Sequence, residues 1–289
     1  MRYTLLVRGQ SHRFGCDADG HRLQLACLRS QQHYIGRPLA RHGHRLEIIL
    51  SFNSFGGCFG ASNESRRRLL VRDLQEAANG SPVSTVDVHH VYARSQSLGL
   101  RYSLNRYFRE TAADARSADW LLLSRFDLRL LRPLSILAPR GGLCQGSTGK
   151  PTSELLQPPA VLIASRCAAK EWSAFHCTVD TFYAIPRHYV PAFNRSVGQV
   201  DPSHKTSRCC FRWNCQFPHS GHACLDMLFA NGVASACFLW PPLERNTKPP
   251  DGPDYQCCRK GMTEWSNGNA TNARPALGRG IGGHGHLRL

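Results

Sequence analysis

The stretch ADWLLLSRFDLRLLRP, Ala118 to Pro133, decides how the rest of the chain is read. Trp120 to Leu123 is an unbroken apolar run, the mark of a strand buried on both faces. It leads straight into Ser124-Arg125-Phe126-Asp127. Successive side chains of a strand point to opposite faces, so Phe126 goes one way and its two charged neighbours the other. The expectation is a strand whose tip keeps Phe126 in the core and presents Arg125 and Asp127 together.

The flanking sequence supplies the rest of the fold. Tyr3–Val7, the run RLEIILSF from Arg45 and the β-branched run VSTVDVHHVYA from Val83 read as three more strands. Between them, residues 19–40, 64–78 and 100–117 carry apolar side chains near the helical period. Alternation of strand and helix predicts an α/β domain: a mostly parallel, Rossmann-like sheet with helices on both faces. Ligands of such sheets bind beyond the carboxyl ends of the strands. Arg8, Ser51 and Arg125 to Asp127 all fall at such ends and are expected in one crevice. Farther on, AVLIAS from Ala160, Thr181–Ile185 and SACFLW from Ser235 read as strands. Residues 187–197 and 222–231 read as helices, the second closed by Gly232. Residues 1–260 are taken as one domain. Within it the Gly/Pro/Ser/Thr-rich segment 139–160 is expected as a mobile loop, and the Gly-, Arg- and His-rich residues 261–289 as a disordered tail.

Composition limits the function classes. At 289 residues, 42% hydrophobic and 19% charged, the chain has material for a large core. No apolar run approaches the roughly 18–20 residues of a membrane span. The opening MRYTLLVRG reads as a strand rather than a signal peptide, which places the chain as written in the cytoplasm. The secretory pathway or Golgi lumen is the alternative if the N-terminus is incomplete. The net charge is +16, and lysine occurs only at positions 150, 170, 205, 248 and 260, so 31 of the 36 basic residues are arginine. That field favours polyanions or nucleotides, and arginine suits bidentate phosphate contacts. The basic residues are dispersed, and Phe211-Arg212-Trp213 is the one short stretch that interleaves aromatics with charge, so nucleic acid is not the favoured partner.

Thirteen cysteines are present, seven of them between Cys209 and Cys258. With His204, His219 and His222 they form a Cys/His-rich region. Its spacings come near a zinc site without matching one, and disulfides or reduced packing cysteines remain open beside it. Three Asn-x-Ser/Thr sequons, at Asn63, Asn194 and Asn269, lean toward a secretory compartment. Gly-x-Ser-x-Gly, His-Glu-x-x-His and Cys-x-x-Cys do not occur.

Candidate site residues follow from these positions. Arg8, Gly9 and Arg13 lie in the turn after the first strand, where Gly9 allows close backbone approach and the arginines meet phosphate. Arg125 can act as a fixed cation, and Asp127 can hold a diphosphate through a divalent ion; Mn²⁺ or Mg²⁺ is the cofactor such an oxygen site would use. Asp180, or Asp226 paired with His222 one helical turn away, can serve as general base.

Four segments, LLVRGQSHRFG from Leu5, LACLRSQQHYIGRPLARHGHRLEIILSF from Leu25, ADWLLLSRFDLRL from Ala118 and VDTFYAIPRHYVPAF from Val179, together resemble a loose group of glycosyltransferase-like proteins from algae and microbes. The resemblance spans roughly residues 2–245. It implies a GT-A-like nucleotide-sugar fold, a nucleotide-sugar donor and a glycan or protein hydroxyl acceptor. It also matches Arg8 and Arg13 to the nucleotide-side turn, Asp127 to the metal or diphosphate position and Asp180 to a later acidic segment. In that family the strand-end motif reads Asp-x-Asp and holds the metal, whereas here its partner position is Arg125. The reaction implied is sugar transfer from a nucleotide diphosphate, of the hexosyltransferase class. The alternative is a non-catalytic, degenerate transferase fold or a basic, cysteine-rich binding protein.

Overall fold

A computed structural model describes residues 1–10, 17–53, 61–78, 83–91, 96–111, 118–134, 144–147, 151–152, 160–166, 176–200, 223–240 and 255–257. Strand β1 (Arg2–Gly9) is followed by helix α1 (Ala18–Gln31), a π-helical turn (Gln32–Gly36) and α2 (Arg37–Arg41). Then come β2 (Arg45–Asn53), α3 (Ala61–Ala78), β3 (Val83–Val91), α4 (Gln96–Thr111) and β4 (Trp120–Arg125). These correspond closely to the elements read from the apolar periodicity. The helix expected over 19–40 is interrupted because Pro38 opens α2. Proline has no N–H to give to the preceding turn, and the ladder widens there.

The later chain supplies β5 (Leu128–Leu130), β6 (Cys144–Gly146), β7 (Pro151–Thr152), β8 (Val161–Ile163) and β9 (Phe182–Pro186). Helices α5 (Val190–Val200) and α6 (Leu225–Ala230) and strands β10 (Ser235–Phe238) and β11 (Tyr255–Cys257) complete it. The main sheet runs β3-β2-β1-β4-β9-β8-β10-β6-β7, and β11 pairs with β5 in a separate ribbon. β3, β2, β1 and β4 are mutually parallel, which is the strand order of one half of a doubly wound sheet. Beyond β4 the sheet is mixed: β9 is antiparallel to β4 and to β8. The chain is therefore α/β with a largely parallel sheet, as expected, but only one half is uniformly so. β8 and β9 are buried at every residue, so no alternation in the sequence marks their direction.

Alternation along β1 divides the core. Tyr3, Leu5 and Val7 face a cluster with Leu28 of α1, Leu39 of α2 and Leu70 and Leu74 of α3. Leu6 faces Leu100 and Leu104 of α4, Phe193 of α5 and Leu228 of α6. Helices thus cover both faces, and each fully buried leucine contributes roughly 1.5–3 kcal/mol through the water it sheds.

Two expectations are corrected here. Segment 139–160 is not a loop throughout, since Cys144–Gly146 and Pro151–Thr152 are sheet strands. A disulfide from Cys144 to Cys237 fastens β6 to β10, and Gln145 is buried. The helix expected over 222–231 begins at Leu225, with Cys224 at its N-cap, while Gly232 at φ +102° does close it. The tail 261–289 and His222 lie outside the described residues. Among those described, no helix is long and apolar enough to cross a membrane.

Candidate functional site

The end of β4 meets the ends of its neighbours in register. Arg8 of β1 lies opposite Ser51 of β2 and opposite Arg125 of β4, and Ser51 lies opposite His89 of β3. Residues opposite one another in a parallel sheet share a face, so a row of polar side chains crosses four strands at their carboxyl ends. Phe126 goes the other way, into the core, stacked on Phe52 at 5.0 Å between ring centroids. The expected split at the strand tip is present.

Arg8 and Arg125 converge on Asp180, in the bend that leads into β9. Arg8 Nη2 donates to the Asp180 carbonyl at 2.6 Å and lies 3.5 Å from its Oδ2. Arg125 Nη1 donates to Asp180 Oδ1 at 3.1 Å. Arg125 also forks onto Asp127, Nε to Oδ1 at 2.7 Å and Nη2 to Oδ2 at 2.5 Å. Arg8 is 3% exposed, Asp127 6% and Asp180 7%, while the Arg125 side chain keeps 19%. Two cations and two anions cancel, which is what allows four charges to be buried at all. Burial pushes the Arg8 guanidinium down from its ordinary value, Asp180 opposes that shift and Arg125 adds to it. Burial, and secondarily Asp180, raises the nearby Tyr183 phenol.

Helix α1 holds this tip in place. Gln24 Nε2 donates to the Phe126 carbonyl at 2.5 Å, and Gln31 Nε2 donates to the carbonyls of Arg125 at 2.9 Å and Leu128 at 2.7 Å. Both glutamines are buried. They satisfy carbonyls that the strand loses where it ends. Sequence reasoning missed them, although two amides seven residues apart on the buried face of a helix are a legible signal. Gly9, at φ +113°, turns the chain in a region closed to other side chains without strain. Arg13 lies outside the described residues.

The donor set does not suit a divalent cation. Both oxygens of Asp127 are taken by Arg125, and Asp180 faces two guanidinium groups. An added dication would meet like charge where it needs free carboxylate. Among the described residues no group of three or more His, Cys, Asp or Glu is arranged to hold a metal. The cysteines with described side chains, Cys27, Cys144, Cys177, Cys224 and Cys237, are all disulfide-bonded, Cys144 to Cys237. Of the Cys/His-rich region only Cys224 and Cys237 have described side chains, and both are committed in this way.

The remaining polar residues of the row have local partners, although His89 Nδ1 is buried without one. Ser51 Oγ and Ser103 Oγ of α4 are 2.6 Å apart, and His89 Nε2 is 2.9 Å from Glu110. Gly99 of α4 leaves room for Asn53, whose side-chain amide lies 1.9 Å from where a Cβ would stand. Asp226 is not part of this crevice network: its Oδ1 lies 2.7 Å from His176 Nδ1. The sequon at Asn194 sits within α5, with Asn194 half-buried and its Nδ2 donating to Asn105 Oδ1, and with Ser196 buried.

Fold and site together define the class: an α/β protein with a half-parallel, Rossmann-like sheet and a charged cluster at the strand ends. No protein-family model and no curated protein matches the chain in sequence. The algal and microbial family suggested by its motifs is therefore not shown. Solved structures give distant likenesses to nucleotide-sugar enzymes. A galactosyltransferase, LgtC, solved with donor and acceptor sugar analogues, is 10% identical at TM-score 0.36, covering 82% of this chain and 73% of its own. A nucleoside-diphosphate-sugar pyrophosphorylase from Vibrio cholerae RC9 is 10% identical at TM-score 0.43, covering 90% and 96%. Mouse xyloside xylosyltransferase 1, in its apo form, is 12% identical at TM-score 0.38, covering 79% and 80%. Likenesses at this distance carry no argument about residues or chemistry.

Proposed function

We propose that the chain binds the diphosphate of a nucleotide sugar at the Arg125 edge of the crevice and transfers the sugar to a hydroxyl acceptor on a glycan or protein. The observation that carries this reading is the pair of arginines at matched positions on adjacent parallel strands, at the end of the sheet where ligands bind. Their roles differ. Arg125 keeps solvent access and is the cation that faces the departing diphosphate. Arg8 is buried beneath it and acts through Asp180, which it anchors against Arg125. Arg8 is thus a positioning residue. Arg125 takes over the charge that a metal supplies at an Asp-x-Asp strand end, so donor binding is proposed to need no Mn²⁺ or Mg²⁺.

A second reading rests on a specific observation as well. The four charges cancel within the protein, and Asp127 already occupies the fork of Arg125. A network closed in this way suits a non-catalytic fold in which the charges only clamp β1, β4 and the chain before β9.

Thermal unfolding against UDP, GDP, CMP and ADP separates the two. A ligand in hundredfold excess over its Kd stabilises by about 2.7 kcal/mol. The transferase reading expects a selective rise that survives EDTA, is lost in Arg125→Gln and is partly kept in Arg125→Lys. No rise with any nucleotide sinks it and leaves the clamp.

A further inference from the structure

The opposite end of the sheet carries a cavity of about 690 Å³. It lies where β4 begins, between the last turn of α4 and the turn that leads from β9 into α5. A strand rises about 3.3 Å per residue, so Trp120 at this end of β4 stands roughly 17 Å from Arg125 at the other. Backbone hydrogen bonds knit the rim. Arg45 N donates to the Met1 carbonyl at 3.1 Å, Asp119 N to the Arg2 carbonyl at 2.9 Å and Arg187 N to the Asp119 carbonyl at 3.0 Å.

The lining leaves apolar surface open to water. Among the described residues the exposed large hydrophobic side chains are Met1, Tyr102 and Phe108, and two of them, Met1 and Phe108, line this cavity beside Pro186. A single exposed apolar side chain is ordinary. An open concavity of this volume with an apolar lining and a few polar groups is the form that small-molecule sites take.

Charge narrows the ligand. The Arg187 guanidinium is exposed, lines the cavity and pairs with no carboxylate among the described residues. Asp119 is the one carboxylate in the lining, and its Oδ2 accepts the Arg2 N–H at 2.8 Å. Around it the sheet edge is basic. Arg2 and Arg45 are register partners and both exposed, and Arg41 and His42 are exposed just before β2. The field at the rim therefore favours an anion. A bare inorganic anion would leave Phe108 and Met1 open to water, and a wholly apolar molecule would leave Arg187 without a partner.

We propose that this cavity is a second binding site, separate from the arginine cluster, for a small amphipathic anion. Its apolar body packs against Phe108 and sheds water there. Its carboxylate or phosphate head takes the fork of Arg187 through parallel charge-assisted hydrogen bonds. The proposal does not depend on the transferase reading.

Decanoate and decyl phosphate, below their micellar concentrations, are the probes. Decanol lacks the charged head and inorganic phosphate lacks the apolar body. Isothermal titration calorimetry on the full chain should show one site that binds decanoate or decyl phosphate roughly 10- to 100-fold more tightly than decanol, with no measurable binding of phosphate alone. The tighter of the two probes names the head. Arg187→Gln should bring that probe down to the affinity of decanol, and Arg187→Lys should recover part of the difference. Phe108→Ala should weaken the charged probe and decanol by the same factor. The ranking of probes on unmutated protein stands even where a variant does not fold. Decanol binding as tightly as both charged probes, binding indifferent to Arg187→Gln, or no binding of any probe overturns the proposal. Cosedimentation with phosphatidylglycerol vesicles while the soluble probes fail to bind also overturns it, and makes this edge a membrane contact instead.

Discussion

The two charged clusters of this protein are built from the same chemistry and stand in opposite surroundings. Arg8, Asp127 and Asp180 are nearly closed to solvent, Arg125 keeps partial access, and their charges cancel. His176 and Asp226 are open to solvent and held by backbone bonds and flanking disulfide-bonded cysteines. A buried ion cluster is rigid because breaking it exposes charge to a poor solvent, whereas an exposed pair is cheap to break.

The comparison breaks most readily at Asp180. Asp180→Asn leaves the buried Arg8 guanidinium without its carboxylate and Arg125 with Asp127 alone, and should cost about 3–5 kcal/mol in denaturant unfolding. A cost below about 1 kcal/mol would show that water already reaches the network. The mixed half of the sheet gives the next effect. Replacing Cys144 and Cys237 together by serine releases a link spanning 93 residues and should lower stability by roughly 2–4 kcal/mol under non-reducing conditions. Asp127→Asn removes charge-assisted bonds to Arg125 and should cost about 1.5–3 kcal/mol while leaving any nucleotide-dependent shift in place. Asp226→Asn, in the open cluster, should change stability by less than about 1 kcal/mol. A larger loss would mean that Asp226 supports the fold.

The smallest effect is expected at His89. Burial lowers its folded-state value, with Glu110 pulling the other way and Arg106 and Asp87 completing its charged surroundings. The unfolded chain then binds more protons just below the ordinary histidine value of about 6.5. Stability should be fully present above that pH and decline as pH falls toward the folded-state value. His89→Gln should flatten that part of the profile in a pH series of thermal unfolding.

Several features were legible from residue order alone. The period-two alternation at Arg125-Phe126-Asp127 announced an apolar side chain facing in and charges facing out. The alternation of strands with helices placed Arg8, Ser51 and Arg125 at strand ends, and the parallel register brings those three together. Other features were not legible. The carbonyls that Gln24 and Gln31 bind show only when the helix is laid against the strand tip. His176 carries no motif at all, because its partner is fifty residues away and its backbone is set by contacts with another segment. Nor does residue order show that both oxygens of Asp127 accept from Arg125.

The sequence by itself determined the strand and helix pattern, the parallel half of the sheet and the polar ends of its strands, because these follow from local periodicity and short-range geometry. Only the tertiary structure decided which charges neutralise one another, which stay open and how the buried strands β8 and β9 run. Those outcomes depend on pairings between residues far apart in the chain, and burial, not composition, sets what each charge is able to do.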